Sequence, residues 1–144
     1  MYKLIRQIFT LSIISVILLI GFCTNPALAL TQIQLTNISY KECPAEMAKG
    51  SVTSGDITPA NCFLITGTAV NPTGKSVFDA DVFGRIYDAN NDNVMPNRTR
   101  IGNLEEIPPG ESSFEFRISV PANQPTPLKL EKLKAAGFTR QVRR

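Results

Sequence analysis

Histidine and tryptophan are absent from the 144 residues. The commonest general base and the commonest zinc ligand are therefore missing, and no nucleophilic triad built on histidine can be assembled. Neither a glycine-rich phosphate loop nor a nucleophile elbow occurs. Enzymatic activity is not expected, and no cofactor is implied. The chemistry that remains lies in two cysteines, an Asn/Asp cluster and a few arginines.

Cys43 and Cys62 stand in the body of the chain, and the third cysteine, Cys23, lies near the N-terminus. In an exported domain two cysteines point to one disulfide, because only one pairing is possible. The stretch between them, PAEMAKGSVTSGDITPAN, shows no periodicity and reads as a loop. Closing a loop of that length stabilises a fold by about 3 kcal/mol in the chain-entropy model. A redox-active pair is the alternative, although the close Cys-x-x-Cys spacing that tunes thiol pKa is lacking.

Asp88, Asn90 and Asp92 alternate as in the opening of a calcium loop, where oxygen-bearing side chains converge on the ion. The pattern breaks where Asn93 replaces the central Gly and Thr99 the bidentate Glu. The same residues suit a hairpin turn, which is the expected role, with calcium as the alternative. Arg98 and Arg100 are candidate partner contacts, and equally the charges that guard an edge strand. Tyr87, Phe83 and Phe114 would form an aromatic patch if exposed, though such spacing on strands usually marks core.

These residues follow an export leader. Lys3 and Arg6 precede an apolar run over residues 8–22, and Ala27-Leu28-Ala29 offers a small-x-small cleavage site after Ala29. That order is a secretory signal peptide. The alternative is an uncleaved membrane anchor, although the run is shorter than the roughly 20 apolar residues of a spanning helix. Lipidation at Cys23 fits poorly, because Phe22 occupies the place of a small residue. Removal of residues 1–29 leaves 30–144, one domain, large enough to bury about two-thirds of its unfolded surface.

The leader holds two of the 15 Lys+Arg and none of the 12 Asp+Glu, so the mature chain is nearly neutral. The charge is uneven. From Pro127 onward six basic residues, including Arg140, Arg143 and Arg144, face Glu131 alone, net +5, and residues 30–126 carry −4. A basic tail favours an anionic partner or membrane surface, or is a solvated end. Nucleic acid is not an expected partner.

Residues 61–92 look like the organising hairpin, two β-forming runs joined by Asn71-Pro72-Thr73-Gly74, with the rest laid against it. Strands are expected over 32–40, 62–70, 77–87, 94–104, 112–120 and 128–134, with a short extension after a break at Gly137. Residues 112–120 alternate cleanly, with Phe114, Phe116, Ile118 and Val120 on one face. About seven strands with turns every 8 to 12 residues predict a β-sandwich.

The order GTAVNPTGKSVFDADVFGRIYDANND, a strand, then IPPGESSFEF resembles the FxLYD-type extracytoplasmic β-domains. The likeness is carried by Gly67, Val70, Asn71 and Gly74, by Ile86-Tyr87-Asp88, by Pro109-Gly110-Glu111 and by Phe114, over residues 63–120. The Phe that opens the family motif falls on Gly84, with Phe83 one place out, which leaves the register of that strand open. The YKECPAE and NCFLITG segments are similar to small proteins exported towards the thylakoid lumen or periplasm in cyanobacteria and plastids. The resemblance implies an immunoglobulin- or fibronectin-III-like antiparallel sandwich and supplies no catalytic residue. The expected function is an exported, non-enzymatic binding or assembly module that contacts another protein through a sheet edge. The alternatives are a small-ligand or calcium-binding domain using residues 88–92, and a membrane-tethered domain.

Overall fold

The structure, a computed structural model, describes residues 30–53, 55, 57–96 and 98–141. The expected signal-peptide segment, residues 1–29 with Cys23 and Ala29, and Arg143 and Arg144 lie outside the described residues. Six strands form: β1 (Thr31–Glu42), β2 (Ala60–Asn71), β3 (Val77–Tyr87), β4 (Arg100–Ile107), β5 (Gly110–Pro121) and β6 (Lys129–Phe138). A single helical turn, α1 (Ala45–Ala48), sits in the loop between the cysteines.

The strands make one sheet in the order β4-β3-β6-β1-β2-β5, antiparallel throughout. The sheet curls into a nearly closed barrel, not the seven-strand immunoglobulin-like sandwich expected from the sequence. The reason is β1. Its first residues, Thr31 to Ile33, pair with β6, and from Gln34 onward it pairs with β2. The register slips between Thr36 and Ser39, where Asn37 takes φ 51°. Asn tolerates that left-handed conformation, and the extra residue bends and twists the strand. One strand thus joins what would otherwise be two separate layers.

A second correction concerns the organising hairpin. β2 and β3 follow each other in sequence but do not pair, since β6 and β1 lie between them. Residues 72–76 cross one end of the barrel and do not form a hairpin turn. The expected strand over 94–104 is also shorter. Val94 continues the ladder briefly through its N–H to the Ile86 carbonyl, then Arg98 N–H closes a turn on Met95 O, and β4 begins at Arg100. Gly137 is no break. It lies within β6, where a Cβ would stand 2.6 Å from the Phe78 carbonyl, so only glycine lets β3 and β6 approach this closely.

The core fills the barrel. Phe63, Ile65, Val82, Ile86, Phe116 and Val120 are all buried in it. On β5 the alternation read from sequence holds, with Phe114, Phe116, Ile118 and Val120 buried and Glu115 and Arg117 outward. Cys62 and Leu64 are buried on the outer face of β2.

Two buried polar side chains close the ends. At one end Asn71, 1% exposed, donates from Nδ2 to the carbonyls of Lys75 (2.9 Å), Ile107 (3.0 Å) and Pro108 (3.2 Å). Its Oδ1 accepts from Thr73 N–H and Oγ1. At the other end Asp88, also 1% exposed, accepts the N–H groups of Asn90 and Asp92 on Oδ1. Buried carbonyls that lose their donor cost about 1–3 kcal/mol. Asn71→Ala is therefore expected to lower stability by about 2–3 kcal/mol, read as a lower urea midpoint with an unchanged slope.

Candidate functional site: the β4–β5 seam

β4 and β5 are consecutive and lie side by side at the two margins of the sheet, yet no ladder joins them. Their connection explains this. Pro108 and Pro109 have no N–H to start a hairpin ladder, and the Ile107 and Pro108 carbonyls are already taken by Asn71. The other edge of β5 is fully paired with β2, from Asn71↔Gly110 to Ala60↔Pro121. The other edge of β4 pairs with β3. Each strand thus turns one unladdered edge to the seam.

Gly102 and Phe116 meet across the seam. A methyl group built on Gly102 of β4 would overlap the Phe116 ring of β5, so the ring lies directly on the glycine backbone. From there towards Ile107 the seam opens into a groove of about 620 Å³. Ala69, Leu104 and Phe114 reach its floor, and Asn103, Glu105, Glu106 and Ser113 line its walls.

The groove is acidic. Glu105 and Glu106 are exposed and make no ion pair among the described residues. Glu115 pairs with Lys41 at 3.0 Å. Arg117 borders the groove, but its guanidinium turns to Cys62 Sγ and Ser51 Oγ.

The residues singled out from the sequence lie elsewhere or act differently. Cys43 and Cys62 form a disulfide with Cα atoms 5.3 Å apart. Asp88 is the staple of its own turn, Asn90 and Asp92 are exposed, and among the described residues no group of three or more His, Cys, Asp or Glu is placed to hold a metal ion. Arg100 is tied to Asp81 at 2.6 Å, and exposed Arg98 precedes β4 in a turn. Arg140 is exposed beyond the end of β6. β3 pairs with Arg100 at Phe83 and with Phe138 at Phe78, so these arginines lie towards opposite ends of the barrel. Phe114 is core, whereas Phe83 and Tyr87 are half-buried.

Sequence reasoning missed Gly102, Asn71 as a clamp, and Arg117. Gly102 carried no turn signal, and Arg117 read as one more solvent-facing residue of an alternating strand. The Gly102–Phe116 contact gives a direct test of the seam. Gly102→Ala is expected to cost about 1–3 kcal/mol through overpacking, and Phe116→Leu in the same chain to restore part of it. Urea unfolding of both single variants and the double variant measures the coupling. Compared with known proteins, the chain matches no family model, no curated protein and no solved structure.

Proposed function

We propose that this is an exported, non-enzymatic binding module that takes an extended, basic segment of a partner protein into the β4–β5 seam. The observation that carries the reading is a pair of neighbouring strand edges with no ladder between them, flanking a groove with an acidic wall. An extended peptide added to such an edge satisfies its N–H and C=O groups, and its alternate side chains enter or leave the groove. Glu105 and Glu106 favour Lys or Arg at the outward positions and disfavour acidic segments. Export is supported by the leader-like N-terminus and by the disulfide, which belongs in an oxidising compartment.

An eight-residue peptide alternating Val and Lys is the probe, with a Val/Glu peptide as control. Binding of the Val/Lys peptide is expected to be saturable and to shift backbone amide resonances of β4 and β5. Glu105→Lys combined with Glu106→Lys should weaken it at least about tenfold, which is ~1.4 kcal/mol. Equal binding of the two peptides, or shifts confined to other strands, would refute the assignment.

A further inference from the structure

The Cys43–Cys62 disulfide carries a cation. Arg117, on the outer face of β5, donates its Nε–H to Cys62 Sγ at 3.1 Å and an Nη2 hydrogen to Ser51 Oγ at 2.8 Å. Ser51 is 9% exposed and lies within the ring the disulfide closes, so it fixes the guanidinium against the sulfur. A disulfide sulfur is a weak acceptor, and closing a loop does not call for an arginine on it. A thiolate is a strong acceptor, and the same hydrogen bond becomes charge-assisted once the S–S bond opens. The contact therefore favours the reduced state over the oxidised one.

The surroundings give the bond a direction. An open cleft of about 460 Å³ lies at the disulfide, lined by Glu42, Cys43, Asn61, Cys62, Gln124 and Thr126. Cys62 is 5% exposed and Cys43 half-buried, so Cys43 is the more accessible half of the bond. Arg117 favours negative charge at Cys62. After opening, the two residues stay together, because Cys43 N–H donates to the Cys62 carbonyl at 3.0 Å next to the Glu42↔Phe63 pair. Reclosure is then intramolecular.

We propose that Cys43–Cys62 is a reversible thiol–disulfide exchange site, opened by a dithiol with Cys62 as the leaving thiolate held by Arg117. The dithiol's thiolate attacks Cys43 Sγ, forming a mixed disulfide and breaking the bond to Cys62, whose sulfur leaves with the electron pair. The second thiol of the reductant, losing its proton, attacks its own sulfur in the mixed disulfide and releases Cys43, which takes up a proton. Two electrons pass to the protein, and the dithiol becomes a disulfide. The ring that this bond closes carries α1 and the exposed side chains of Met47, Val52 and Ile57.

Equilibration of the full chain with mixtures of reduced and oxidised dithiothreitol, followed by acid quench, alkylation and intact mass, reads the reduced fraction. Arg117→Gln is expected to need an approximately tenfold more reducing ratio than the unaltered chain, about 30 mV, with Arg117→Lys in between. Circular dichroism should remain that of the folded barrel in all three. A purely structural Arg117 predicts the opposite sign, because losing its grip on Ser51 loosens the oxidised ring. An unchanged or easier reduction of Arg117→Gln would overturn the proposal, as would opening of the unaltered chain only where it unfolds.

Discussion

The architecture depends on one strand changing partners. β1 gives three residues to β6 and the rest to β2, with Asn37 in the left-handed region at the slip. A strand that stayed with one neighbour would leave two sheets free to stack as a sandwich. The bend at Asn37 instead forces the six strands to share one curved ladder. Close approach of β6 to β3 depends on Gly137, where a Cβ would stand 2.6 Å from the Phe78 carbonyl.

A sheet curled this far meets itself, and its two margins are the strands on either side of Pro108-Pro109. Chain connectivity brings β4 and β5 together while proline chemistry denies them a ladder, and Asn71 occupies the carbonyls next to the corner. The consequence is a seam closed by packing at Gly102 and Phe116 and open beyond it. Unpaired edges are a hazard in solution, and Glu105, Glu106 and Glu115 are the kind of charge that keeps another edge from pairing indiscriminately. Under the proposed function the same charges would select a basic strand.

The sequence made the local features legible and the long-range ones obscure. The alternation of residues 112–120 identified β5 and its buried face, because period 2 is a property of the strand alone. β2, expected over 62–70, lies between β1 and β5. The turn residues at 71–74 showed where the chain changes direction but not which strands pair, and so suggested a hairpin between strands that sit apart. Gly137 looked like a break because its reason, the Phe78 carbonyl, is some sixty residues away in the chain. Arg117 gave no signal for the same reason: its partners, Ser51 and Cys62, reach it only through the fold. Asn71 and Asp88, both in turn-forming stretches of the sequence, are the buried polar groups that hold the two ends.

An open seam is visible in residue-resolved amide hydrogen exchange. Alternate amides of β5 point to β2 and to β4. Those facing β2 should be strongly protected, and those facing β4 beyond Phe116, towards Gly110, should exchange much faster from the same strand. Uniform protection along β5, matched on β4, would mean that a ladder closes the barrel and that no edge is available to a partner.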